Sequence, residues 1–352
     1  LTRRVGNTAF VREDDDVRIL STLPRSEVAS ETPLDALLEP LTPNEAFFVR
    51  SHAREIPRIG ASAYRLAVDG ARGARELTLD DLRALPRVSA TVTLACAGNG
   101  RIGFEPMPSG VPWGLGAIST ARWDGTPLRD VLELAGIPEG AQHVVFDGYD
   151  GPAEGGKPPY RRSLPLARAL HDGTIVAVAM NGEPIPPEHG GPVRLVVGGW
   201  TANHSMKWLR RIAFAEAPDD GWWMNDYRAP GPDGAMRMIE ATAPVAIVAS
   251  PESGASCGRD VALRGVAYGD PAPARVRVEV DGADAGDVPV RYEDGPYAWG
   301  RWVLPLTLEL GTHRIMVRPV DERGVPGPIR ATWNAGGYRY DGPHEIDVNA
   351  ER

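Results

Sequence analysis

The sequence predicts an α+β domain followed by an all-β sandwich. Up to about residue 235, strand and short helix signals mix without regular βαβ alternation, which argues against a doubly wound sheet. Beyond that point strand signals recur at short intervals and helical periodicity stops. Glycine (40) and proline (33) are both plentiful, which favours turns and short elements over long helices.

Residues 1 to 40 read as an irregular arm, acidic at Glu13-Asp14-Asp15-Asp16 and interrupted by Pro24, Pro33 and Pro40. Phe47-Phe48-Val49-Arg50 reads as a strand. Tyr64 to Gly70 alternates and ends in an Asp-Gly turn, a hairpin signal. Leu77 to Leu85 reads as a short amphipathic helix capped by Thr78. Thr91 to Ala95 is a strand that delivers Cys96 into a glycine-rich loop, and Pro127 to Ala135 is a second helix. The apolar, β-branched runs His143–Phe146, Ile175–Met180 and Val193–Val197 read as buried strands. In the second part, strands are expected over Val261–Tyr268, Arg275–Val280, Trp299–Leu308 and His313–Val320, with turns at Asp281-Gly282 and Gly311. The spacing suits a β-sandwich of immunoglobulin-like size. The expected division is an arm over 1–40, a mixed domain over 41–235 and the sandwich over 236–352.

The composition, 42% apolar and 24% charged, is that of an ordinary soluble globular chain. A net charge of −9 argues against a general nucleic-acid binder, though a local arginine cluster can still take a small anion. No apolar run is long enough to span a membrane. The first residues, Leu1-Thr2-Arg3-Arg4, carry no apolar signal region, and the compartment, periplasmic or cytoplasmic, is not readable from them. Lys157 and Lys207 are the only lysines, so the chain otherwise uses arginine as its cation. Two cysteines, Cys96 and Cys257, are too few for a disulfide framework, and Cys257 reads as structural or incidental.

The centre of the functional signal is Leu94-Ala95-Cys96-Ala97-Gly98-Asn99-Gly100-Arg101. Gly98, Gly100 and Gly103 match a dinucleotide fingerprint, but that motif needs a helix to start at the loop. Pro106, Pro108 and Pro112 forbid it. The loop reads instead as a close approach of backbone and thiol to a ligand. With Arg101 nearby, Cys96 favours the thiolate, which leaves a nucleophile or a single ligand to a soft metal. No C-x-x-C or H-x-x-x-H spacing supports zinc.

Three further segments are rich in hydrogen-bond donors: Arg50-Ser51-His52, His189-Gly190-Gly191-Pro192-Val193-Arg194 and Asn203-His204-Ser205-Met206-Lys207-Trp208. Taken singly, each reads first as a surface turn or a satisfied core histidine. Together they supply many donors and few carboxylates, which suits a phosphate or another oxyanion.

These segments, taken in order, resemble the molybdenum domain of the sulfite oxidase family, which also includes eukaryotic nitrate reductases. The resemblance rests on Phe47-Phe48-Val49-Arg50-Ser51-His52, Thr93-Leu94-x-Cys96-Ala97-Gly98-Asn99-x-Arg101, His189-Gly190-x-Pro192-Val193-Arg194 and Ser205-x-Lys207-Trp208-Leu209. Gly116-Ala117-Ile118, Ala121-Arg122-Trp123 and Leu128-Arg129-Asp130-Val131-Leu132 fit as well. The second domain then resembles the family's immunoglobulin-like dimerisation domain, with Trp333-Asn334 resembling its last strand.

The resemblance implies a molybdenum–molybdopterin cofactor with Cys96 as the metal's thiolate ligand. It implies that Arg50, His52, Asp150, His189, Arg194, Ser205 and Lys207 hold the pterin and its phosphate. Arg50, Arg101 and Tyr227, with Trp113, would line the substrate pocket. The implied reaction oxidises sulfite to sulfate and passes electrons to a separate acceptor such as a cytochrome c, with a homodimer as the assembly; the sequence itself has no C-x-x-C-H motif and no His pair in a haem-binding context, so no haem is expected in this chain. Two departures bear on the substrate. Gly100 stands where the family usually has a second basic residue, and Gly336 where sulfite oxidases commonly carry a pocket arginine. Losing one cation from a dianion site weakens binding by roughly 1.5–3 kcal/mol if nothing replaces it; Arg339 is the candidate replacement. A molybdenum-dependent reductase of nitrate or a sulfoxide is the alternative. A non-enzymatic binding protein built on the sandwich leaves Cys96 unexplained.

Overall fold

A computed structural model of the protein describes residues 3–5, 8–13, 16–19, 29–53, 55–231 and 233–352. Where an irregular arm was expected, Arg3–Val5, Thr8–Glu13 and Asp16–Ile19 pair as an antiparallel meander. Asp14, Asp15 and Pro24 lie outside the described residues.

The mixed part holds two five-stranded sheets. In the first, the order is Arg161–Pro165, His143–Gly148, Leu209–Ala215, Arg65–Val68 and Arg75–Thr78, antiparallel except where Leu209–Ala215 runs parallel to Arg65–Val68. The expected hairpin is the last pair, with Arg65 opposite Thr78. In the second sheet, Val88–Ala95 pairs with Ile118–Pro127, which pairs with Thr174–Met180. Thr174–Met180 also pairs with Arg194–Val197 and Glu183–Pro184. The helix Leu79–Ala84 starts at Thr78, whose hydroxyl accepts from the Asp81 N–H while Asp81 accepts from Thr78 N–H. This reciprocal cap offsets the short length of the helix. Helix Leu128–Ala135 buries Leu128, Val131, Leu132 and Ala135 in one cluster with Leu66 and Val68 of the first sheet and Val176 and Val178 of the second.

From Val245 onward the chain is all β. Val245–Ser250, Asp260–Tyr268 and Gly300–Thr307 form one sheet. Ser256–Gly258, His344–Glu351, Gly311–Val320, Arg275–Val280 and Ala283–Pro289 form the other. Val248, Leu263, Trp302, Val278, Val317 and Val348 fill the space between them, the two-layer packing of a β-sandwich. Trp333 and Asn334 are not in its last strand, which is His344–Glu351. They lie in a loop in which Asn334 Nδ2 donates to the Tyr338 carbonyl and Trp333 Nε1 reaches the Pro106 carbonyl.

The sandwich joins the mixed part beside the cysteine loop. Ala95 and Ile118 pack with Val245, Ile247, Val266 and Trp299 in one buried cluster. Thr93 N–H donates to Tyr297 O and the Thr93 hydroxyl accepts from Trp299 N–H. Asn99 ties the loop to the sandwich as well, donating to the Tyr268 hydroxyl at 2.7 Å.

Candidate functional site

Strand Val88–Ala95 ends at Cys96, whose N–H makes a last bond to Ala117 O before the chain turns. Asn99 N–H donates back to Cys96 O at 3.0 Å, and Asn99 Oδ1 accepts from Ala117 N–H. Gly100 has φ of +80°, and a Cβ there would meet the Tyr340 ring at 2.6 Å. The second basic residue expected at this position is thus excluded by backbone and ring together. No helix follows; only a single 3-10 turn, Arg101–Gly103, precedes the prolines.

Cys96 opens onto a cavity with about 740 Å³ of space not filled by protein, the open solvent at its mouth included. Nine of the expected site residues line it, namely Arg50, His52, Cys96, Asp150, His189, Arg194, Ser205, Lys207 and Tyr227. Arg101 and Trp113 do not. Trp113 is packed in the core with Phe47, Phe48 and Trp123. The Arg101 guanidinium is turned to the Val111 and Gly336 carbonyls and lies over the Tyr338 ring, which in turn stacks on Tyr227. Gly336 leaves the space that Tyr338 fills, since a Cβ there would meet its ring at 2.5 Å. Arg339 is exposed and borders a separate, smaller cavity that also reaches Cys96.

Each donor segment enters the cavity from its own element. Val49–Arg50 pairs with Ala29–Ser30 and ends at Ser51 and His52. The Arg50 guanidinium donates to Ser51 O and to His52 Nδ1, and His52 Nε2 lies 2.7 Å from the Tyr227 hydroxyl. Burial, then Arg50, pushes the His52 pKa down to about 2, so the ring is neutral. Arginine can only donate, so Nδ1 accepts and Nε2 carries the proton. Nε2–H therefore donates to the Tyr227 oxygen and leaves the phenol hydrogen free for another acceptor. Burial holds the Tyr227 pKa well above its usual range, which keeps that hydrogen in place.

Arg194 links the other two segments, donating to His189 O at 2.7 Å and Ser205 O at 3.0 Å. All its acceptors are neutral carbonyls, and burial lowers its pKa to about 9. His189 Nε2 donates to Asn44 O, and the Ser205 hydroxyl accepts from Val197 N–H. Lys207 is half-buried and donates to Glu188 O; desolvation, then Arg194 and Arg50, depresses its pKa strongly. Asp150 is the one carboxyl lining the cavity, raised to about 6 chiefly by burial.

Three buried polar atoms lining this cavity lack a hydrogen-bond partner: Asp150 Oδ1 and both ends of the Asn203 amide. Such groups are expensive to leave unsatisfied. A buried acceptor, a bidentate amide, three cations and one thiol form a donor set that fits a molybdopterin group. Its heterocycle offers matching donors and acceptors, and its phosphate and sulfurs supply negative charge. Among the described residues no cluster of three His, Cys, Asp or Glu side chains could hold a metal, so a metal beside Cys96 brings other ligands with it.

Sequence reasoning missed Tyr160, Asn203, Trp223 and Tyr338 as neighbours of the site. Asn203 was within a flagged segment. Tyr160 lines the cavity and donates to Asn203 O, but its proline-flanked surroundings gave no signal. His204, in the same flagged segment, faces away from the cavity to Ile239 O and the buried Arg162. Among the described residues no helix is long and apolar enough to cross a membrane.

The family of oxidoreductase molybdopterin-binding domains matches residues 53–223. A sulfite oxidase from Gallus gallus is 38% identical over 340 residues, covering 88% of this chain and 73% of that protein. The mitochondrial sulfite oxidase of Drosophila melanogaster is 31% identical, covering 91% of this chain and 61% of its own length. The crystal structure of the sulfane dehydrogenase SoxCD from Paracoccus pantotrophus superposes with a TM-score of 0.77 at 25% identity, covering 94% of this chain and 89% of that one.

Proposed function

The chain belongs to the sulfite oxidase family of molybdopterin-binding oxidoreductases, and from that premise we propose that it oxidises sulfite to sulfate at a molybdenum–pterin cofactor attached through Cys96. The observation that carries the reading is the cavity at the end of strand Val88–Ala95, whose lining brings one thiol together with Arg50, Arg194 and Lys207 and with the unsatisfied polar atoms of Asp150 and Asn203.

When bound, the cofactor supplies the oxygen transfer and the two-electron redox change. This chain's residues do the rest. Lys207 and Arg194 neutralise the cofactor's phosphate, and the anion in turn restores the charge that burial suppresses on Lys207. Asp150 and Asn203 take the pterin's hydrogen bonds, with His189 and Ser205 fixing the loops around it. Arg50 attracts the anionic substrate, and Tyr227 donates its free hydrogen where negative charge builds up. Overall, sulfite and water give sulfate, two protons and two electrons, which pass one at a time to a separate acceptor such as a cytochrome. Residues 41–235 form the cofactor domain in this reading, and the sandwich over 236–352 offers the surface for a homodimer.

The test is sulfite-dependent reduction of ferricyanide by molybdenum-loaded protein. Turnover at low sulfite supports the reading. No turnover in loaded protein, with nitrate or a sulfoxide reduced instead, moves the site to the reductase alternative. The positions Gly100 and Gly336, filled by tyrosine rings instead of cations, are the feature that favours that second reading.

A further inference from the structure

Below the cavity, aromatic rings run in unbroken contact to the protein surface. His52 and Tyr160 line the cavity. Trp223 lies against both, its ring centroid 4.5 Å from His52 and 4.9 Å from Tyr160. Trp222 stands edge-on to Trp223 at 4.7 Å and is 40% exposed, whereas Trp223 is fully buried. Lys157 places its ammonium 4.3 Å over the Trp222 ring and 5.6 Å from that of Trp223. The chain has only two lysines; one lies in the cavity and the other on this outer indole.

A single exposed tryptophan is ordinary. A continuous column of rings from a redox cavity to that tryptophan is not required by packing, and the oxidation chemistry gives the outer ring no task. The proposed reaction must export two electrons, and proteins that accept them singly cannot enter the cavity. Rings in van der Waals contact couple electronically far better than saturated side chains or gaps. They serve as a tunnelling bridge here, because an acceptor that takes electrons from a sulfite-reduced centre is far too weak an oxidant to remove an electron from an indole beside an ammonium.

We propose that electrons leave the cavity through His52 and Tyr160, Trp223 and Trp222, and that the Trp222–Lys157 face is the docking surface for a small one-electron carrier protein with an exposed cofactor edge. Each sulfite oxidised then reduces two carrier molecules by one electron each. The inference rests on the molybdenum reading above, and the test separates the two.

The experiment attaches a ruthenium complex, chosen with a Ru(III)/Ru(II) potential too low to oxidise indole, to the cofactor-loaded chain at Asn225→Cys, an exposed position one turn along the helix from Trp222, with Cys257→Ser removing the half-buried thiol that lies outside the cavity. The protein is reduced with dithionite, so no substrate is assumed, and a flash generates the oxidised ruthenium. The readout is the rate at which the ruthenium is re-reduced. The route predicts a severalfold slower rate in Trp222→Ala and the parent rate in Trp222→Phe, which keeps a ring in place. Equal rates in all three proteins would overturn the route while leaving the cofactor assignment standing. Absence of molybdenum from the purified chain would overturn both.

Discussion

His52 Nε2 lies 2.7 Å from the Tyr227 hydroxyl while Arg50 holds the opposite ring nitrogen at 2.9 Å. The relay fixes the tautomer of a neutral imidazole and frees the phenol hydrogen for the cavity. Replacing Tyr227 by Phe removes that donor and leaves the stacking on Tyr338 in place. The expected result is a kcat lower by roughly a hundredfold, with molybdenum content unchanged. An unaltered kcat would take Tyr227 out of the reaction.

Burying His52 as a neutral ring also has a pH consequence. Its folded pKa is depressed to about 2, against 6.5 for the free group. The unfolded chain therefore binds the extra proton first, and His52 costs stability progressively as pH falls below 6.5. In His52→Gln that loss is absent. Chemical denaturation of the cofactor-free protein between pH 7 and pH 4 should show a shallower decline in the variant; parallel declines would contradict the buried neutral ring.

Asp150 works with the opposite sign. Its pKa is raised to about 6 by burial, so the penalty of its charge is absent below pH 3.8 and fully present above 6. Asp150→Asn should stabilise the cofactor-free protein at pH 8 by about 1–3 kcal/mol, and should lower cofactor retention because an acceptor oxygen is lost. Calorimetry on both forms checks the two arms.

Lys207 makes the same trade. A largely desolvated ammonium held by a neutral carbonyl and the Trp208 ring is costly without an anion. Lys207→Met should raise the melting temperature of the cofactor-free chain while reducing the molybdenum it retains. A variant that is less stable in both states would show that Lys207 serves the fold alone.

Restoring a basic residue at position 100 should not restore a pocket cation. Gly100→Lys forces a side chain onto a left-handed backbone and into the Tyr340 ring. A destabilisation of about 1–3 kcal/mol is expected, with no fall in KM for sulfite. A lower KM would mean that the loop can rearrange.

Most strands were legible because their pattern is dense: Arg275–Val280 appears with the expected bounds, and Val88–Ala95 ends at the expected cysteine. Ile118–Pro127 was not read as a strand because charged and glycine residues, Arg122, Asp124 and Gly125, interrupt its apolar run; it is central to its sheet nonetheless. At the site, segments dense in donors were visible in one dimension. The positions of Arg101 and Trp113 were not: Arg101 turns to Gly336 and Tyr338, more than 200 residues away, and Trp113 is drawn into the core by Phe47, Phe48 and Trp123. The Trp222–Trp223 column was equally hidden, since ring contacts across the fold leave no periodic trace.

The most direct test of the central claim, that Cys96 is the protein's ligand to molybdenum, is X-ray absorption at the molybdenum edge of the purified parent protein and its Cys96→Ser variant. The account predicts one sulfur neighbour fewer in the variant, together with loss of sulfite turnover, since a hydroxyl is a poor substitute for a soft thiolate. An identical sulfur shell in the two proteins would contradict it.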